Sequence, residues 1–145
     1  MLPTECTDLM IQISAHHGNA QVDEDQVAAF YASLDPTISF AEATQAVIEF
    51  YRSSTGWMTV ADVNRLVKTF RRRKMPSEDA VSHMIEQAGI TDGDKAWQYR
   101  RTLYQACGCG VSLEQAQERA LAASRHPMLA RVDRQELTAG PACGK

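Results

Sequence analysis

With 145 residues, 44% of them apolar and 23% charged, the chain has room for one domain with a real core, or for a small domain plus an appendage. No apolar run approaches the roughly 20 residues that span a bilayer. The first residues, with Glu5 and Asp8 and no early Lys or Arg, are unlike a signal peptide, so a soluble, cytoplasmic protein is expected. The net charge of −3 conceals an uneven distribution. Residues 1–64 hold nine acids against the single Arg52, residues 65–74 (RLVKTFRRRK) hold six bases and no acid, and residues 75–145 hold nine acids against eight bases.

The apolar residues recur at helical spacing almost throughout, and each periodic stretch follows a capping residue, which predicts an all-α protein. The first stretch places Cys6, Leu9, Met10 and Ile13 on one side and stops near His16-His17-Gly18-Asn19. Asp23 and Gln26 open a second helix, in which Val27, Phe30, Tyr31 and Leu34 follow the i, i+3, i+4, i+7 pattern up to Asp35-Pro36. Ser39 and Glu42 open a third, with Phe40, Ala43, Val47, Phe50 and Tyr51 as its stripe, ending near Ser53-Ser54-Thr55-Gly56. Thr59 caps a fourth, in which Val60, Val63, Val67 and Phe70 face inward, and Trp57 stands where it would fold back as a hydrophobic staple. Phe30, Phe50 and Trp57 are therefore expected in the core.

Met75-Pro76-Ser77 breaks the pattern and caps a fifth helix with Val81, Met84, Ile85 and Ala88 inward and Gly89 as its stop. A sixth is predicted over about 94–106, and a seventh from Ser112 through about Ser124. Beyond it Pro127, Gly140, Pro141 and Gly144 interrupt any period. The expected organisation is a four-helix bundle over 1–75, two or three further helices over 76–124, and a flexible tail over 125–145.

Enzymatic constellations are absent from this pattern. There is no G-x-x-x-x-G-K-[ST] loop for a nucleotide phosphate, no G-x-G-x-x-G, no H-E-x-x-H and no G-x-S-x-G. His16 and His17 are adjacent and so point about 100° apart on a helix, a poor arrangement for chelating one ion, and a solvent-exposed helix end is expected for them. Asp23-Glu24-Asp25 lacks the spaced oxygens and distal Glu of a calcium loop and suits the positive end of a helix. Cys6, Cys107, Cys109 and Cys143 are too few and too scattered for a disulfide framework. Cys107-Gly-Cys109 falls short of the C-x₂₋₄-C pair of a zinc site, with only His126 and Cys143 nearby as further ligands. The expectation is a non-enzymatic protein with no metal and no cofactor.

The basic run has a definite geometry. If Val60, Val63, Val67 and Phe70 are buried, a rotation of about 100° per residue puts Arg65, Lys68 and Arg72 together on the opposite face, with Arg71, Arg73 and Lys74 fanning out from the last turn. Three readings are open for these six residues. They form a solvated face whose last turn is basic because cations suit a helix C-terminus; they contact a DNA phosphate backbone, alongside Arg52; or they dock on an acidic protein partner.

The stretch from Val22 to Arg73 also resembles a known family. Its elements are Val27-Ala-Ala-Phe30-Tyr31-Ala-Ser-Leu34, then Tyr51-Arg52-Ser53-Ser54-Thr55, then Trp57-Met58-Thr59-Val60-Ala61-Asp62-Val63. In spacing and caps they are similar to the N-terminal domain of replicative helicase loader and inhibitor proteins of phages and prophages of Gram-positive bacteria. The resemblance covers about 50 of the 145 residues. It implies a compact bundle of about four helices, a replicative helicase as protein partner, and a role in delivering that helicase to an origin without a nucleotide site of its own. In that family the C-terminal segment contacts the helicase and is short, whereas here residues 75–124 read as further helices. The alternative is a small helical DNA-binding regulator that uses the helix 60–74.

Overall fold

The computed structural model describes residues 1–18 and 20–125, and among them every regular element is a helix. The order is α1 (Pro3–Ala15), α2 (Glu24–Ser33), α3 (Phe40–Tyr51), α4 (Val60–Arg73), α5 (Glu78–Gln87), α6 (Gly93–Gly108) and α7 (Leu113–Arg125). The chain divides into two compact units, Met1–Arg73 and Lys74–Lys145, where the sequence suggested a boundary after residue 75. The expected flexible tail lies outside the described residues except for Arg125, which closes α7. No described helix is long and apolar enough to cross a membrane.

Local chemistry accounts for the helix starts in the first unit. Asp23 accepts a hydrogen bond from the Gln26 amide at 2.7 Å, satisfying one orphan donor of α2. Ser39 and Glu42 form a capping box: the Glu42 amide donates to Ser39 Oγ, and the Ser39 amide donates to Glu42 Oε2 at 3.0 Å. Thr59 and Asp62 repeat the device at α4, with the Thr59 amide on Asp62 Oδ2 at 3.1 Å. Hydrogen bonds from Thr59 and the nearby Arg65 hold the Asp62 carboxyl below its ordinary pKa.

Packing then runs α2 on α1, α1 on α3 and α3 on α4. The core joins Leu9 and Ile13 of α1, Leu34 and Ile38 of the α2–α3 turn, Ala43, Ala46 and Val47 of α3, and Met58, Val63 and Val67 around α4. Each large aliphatic side chain buried there contributes about 1.5–3 kcal/mol. Phe30 and Phe50 pack against this cluster but are only half-buried, and α2 has no fully buried residue within it. Trp57 departs further from expectation, being 49% exposed, while Met58 beside it is 1% exposed. The Met58 amide donates to the Tyr51 hydroxyl at 3.2 Å, which turns Met58 inward. The Trp57 indole instead stacks on His17 at 4.4 Å between centroids.

The second unit is built around an α6–α7 hairpin. Asp92 caps α6 by accepting from the Lys95 amide at 3.0 Å, and Gly110 supplies a left-handed turn with φ +82° before α7. Ala116 and Ala120 are fully buried, so α7 approaches α6 closely over small side chains. Ser77 caps α5, whose Val81 and Ile85 meet Tyr99, Leu103, Ala106 and Cys107 of α6. Trp97 remains outside this core at 56% exposure, with the Arg101 guanidinium 5.4 Å from its ring centre.

Candidate partner interface on the fourth helix

α4 carries its acid at the start, Asp62, and Arg71, Arg72 and Arg73 in its last turn, which matches the helix dipole at both ends. Along it, Val63 and Val67 are buried, and Arg65, Lys68 and Arg72 are exposed on the other side. The row runs about 10 Å along the axis at a rise of about 1.5 Å per residue. Arg73 is exposed at the helix end, and Lys74 is exposed one residue beyond it. Arg65 is tied to Asp62 at 2.9 Å, with 62% of its side chain open. Exposed pairs of this kind contribute little to stability, so the guanidinium is available for exchange to another anion.

Arg71 is the exception among the six bases, because its side chain is 8% exposed. Its Nε donates to Glu42 Oε1 and its Nη2 to Glu42 Oε2, each at 2.8 Å, a bidentate pair. Nη1 donates to Thr37 Oγ1 and Nη2 also to the Thr37 carbonyl, both at 2.8 Å. The residue expected to fan into solvent is thus a clamp that fixes the end of α4 to the α2–α3 turn and to the first turn of α3, and it leaves the set of surface contacts. The physical reason is register: position 71 is one turn beyond Val67 and belongs to the buried stripe. Asn64 adds a second tie, donating to the Ser33 carbonyl at 3.1 Å and accepting from the Asp35 amide at 3.1 Å.

The clamp also shapes the charge of the region. The Arg71 hydrogen bonds, reinforced by those from Ser39, lower the Glu42 pKa to about 2. Asp35 is lowered as well, first by hydrogen bonds from Thr37. Glu42 is ionised at neutral pH but compensated by Arg71, so the carboxylate beside the basic helix end does not cancel the exposed cations.

The other sequence candidates fall elsewhere. His16 and His17 are engaged with aromatic rings: His16 stacks on Tyr51 at 3.9 Å, and His17 shares a 2.9 Å hydrogen bond with the Tyr51 hydroxyl. Periodicity gives no signal for this cluster, which depends on α1 and α3 ending side by side. Asp23, Glu24 and Asp25 serve the start of α2. Cys6 and Cys107 are buried free thiols whose pKa values burial raises, and Cys109 is a free exposed thiol. Among the described residues no group of three or more His, Cys, Asp or Glu is placed to hold a metal ion. No protein-family model, no curated protein and no solved structure matches the chain.

Proposed function

We propose that the protein is a non-enzymatic accessory factor of phage or prophage DNA replication that binds a replicative helicase, with the exposed cations of α4 as its docking surface. The observation that carries this reading is the concentration of Arg65, Lys68, Arg72, Arg73 and Lys74 on and just past one helix, in a chain of net charge −3. The resemblance of residues 22–73 to helicase loaders supplies the partner. An acidic face on the helicase would meet the row with complementary potential, raising the association rate and fixing orientation.

The test uses purified replicative helicase hexamer. The full chain is expected to bind it and change its ATPase rate, with binding weakened at least tenfold by Lys68→Glu with Arg72→Glu. Absence of binding at low salt, or binding indifferent to the double reversal, would reject the docking surface. A second reading, a DNA-binding regulator, is favoured by the length of the row, since about 10 Å spans roughly three phosphates of one strand at about 3.4 Å each. The acidic remainder of the chain opposes it. With four or five cations at the contact, DNA affinity would fall with a log–log salt slope of about −4.

A further inference from the structure

The exposed cations of α4 contribute little affinity by themselves. Each exposed ion pair is weak, and association has first to offset the freedom that two molecules lose. Charge sets the rate and orientation of an encounter, whereas the lifetime of a complex depends on an apolar side chain that the partner buries. Among the described residues of the first unit, the exposed large apolar side chains are Leu2, Ile11, Tyr31, Ile48 and Trp57. Of these only Trp57 adjoins α4 in the chain, two residues before the Thr59 cap.

The row and the indole fit within one interface. Ala61, Arg65, Lys68 and Arg72 are exposed and follow the i, i+4, i+7, i+11 spacing of one helix face, which carries that face into the first turn of α4. Two residues of chain reach at most about 7 Å, and Arg72 lies about 20 Å along the axis from Thr59. The backbones of Trp57 and Arg72 are therefore no more than about 27 Å apart, inside the roughly 32 Å width of the about 800 Å² that each partner gives to a standard interface.

Trp57 is also fixed before any partner arrives. Its indole stacks on His17 at 4.4 Å between centroids, and His17 shares a 2.9 Å hydrogen bond with the Tyr51 hydroxyl. That hydroxyl accepts from the amide of Met58, which is 1% exposed, and His16 stacks on the Tyr51 ring at 3.9 Å. The ladder of rings ties Trp57 to the core through its neighbour. The His17 stack takes one face of the indole, while 49% of the residue stays open. A side chain held in this way loses little freedom on being buried.

We propose that Trp57 is the apolar anchor of the docking surface on α4. Its indole enters an apolar pocket on the same protein that the cationic row docks on, and carboxylates at the rim of that pocket replace Asp62 on Arg65, whose present bond to Asp62 is 2.9 Å long. The inference rests on the reading of the row as a protein docking surface and adds the residue that sets the lifetime of the complex.

The test measures association and dissociation rates of the full chain with purified replicative helicase hexamer at two ionic strengths. Trp57→Ala is expected to raise the dissociation rate at least about tenfold and to leave the association rate within about twofold, at either ionic strength. Lys68→Glu with Arg72→Glu should instead slow association, most of all at low salt. Trp57→Phe should recover part of the lost lifetime, and Ile48→Ala, which removes a similarly exposed apolar side chain from α3, should leave both rates unchanged. All variants are compared after their denaturation midpoints show them folded. Rates of Trp57→Ala equal to those of the parent, with the charge reversal still effective, would overturn the anchor and leave the docking surface standing; a parent that does not bind would overturn both. Quenching of the indole fluorescence by an oligothymidylate, lost in Trp57→Ala, would assign the ring to an unpaired base and overturn the anchor as well.

Discussion

The two units pack by different means. In Met1–Arg73 the core joins Leu9, Ile13, Val63 and Val67 to Ala43, Ala46 and Val47 of α3, and a buried guanidinium bonds the end of α4 to a turn 34 residues earlier. In the second unit α7 lies on α6 over alanines, and the one ion pair between described helices joins Arg100 to Glu78 at the surface, at 3.4 Å. The contrast teaches that a charge in a basic run has no fixed role. Arg71 and Arg72 are neighbours in sequence, yet one side chain is a buried tie and the other is open to solvent.

Breaking the tie is the most severe test of that contrast. Arg71→Met should destabilise the first unit by about 3–5 kcal/mol in chemical denaturation, because it leaves Glu42 without its counter-charge. Arg72→Met should stay within about 0.5 kcal/mol of the parent, as exposed surface substitutions do. Comparable losses for both would contradict the division between clamp and surface.

Next in size is the exchange of roles between Trp57 and Met58. Met58→Ala should cost about 3 kcal/mol, the usual range for a buried large-to-small change. Trp57→Ala should cost about 1 kcal/mol, the scale of an aromatic pair, since its ring is half-exposed on His17. The reverse ranking would restore the indole to the core.

Acid sharpens the comparison further. The folded Glu42 pKa lies below its unfolded value, so its contribution to stability is full above about 4.5 and is lost as pH falls toward about 2. That limb corresponds to roughly 3 kcal/mol. The loss of stability between those pH values, read from denaturation midpoints, should be smaller in Glu42→Gln than in the parent, the remainder coming from Asp35 and Asp62, whose pKa values are also lowered. The smallest expected effect is at Lys68: Lys68→Ala should leave stability within about 0.5 kcal/mol while weakening partner binding.

Much of this architecture is legible in local sequence because caps act within one turn. Asp23, Ser39 and Ser77 mark their helices, and the Thr59–Asp62 pair does the same for α4. The outward row of Arg65, Lys68 and Arg72 follows from the valine stripe by rotation alone. The Arg71–Glu42 contact joins residues 29 apart, and no periodicity reports such a partner, although the position of Arg71 one turn past Val67 is a usable hint. The His16–Tyr51 and His17–Trp57 stacks are equally non-local.

We propose that the outer cations of α4, and not Arg71, dock on a replicative helicase. This is tested most directly by measuring the affinity of purified helicase for the parent chain and for Lys68→Glu with Arg72→Glu, both confirmed folded by their denaturation midpoints. The double variant is expected to keep its midpoint and to bind at least tenfold more weakly. Equal affinity of the two folded proteins for the helicase would contradict it.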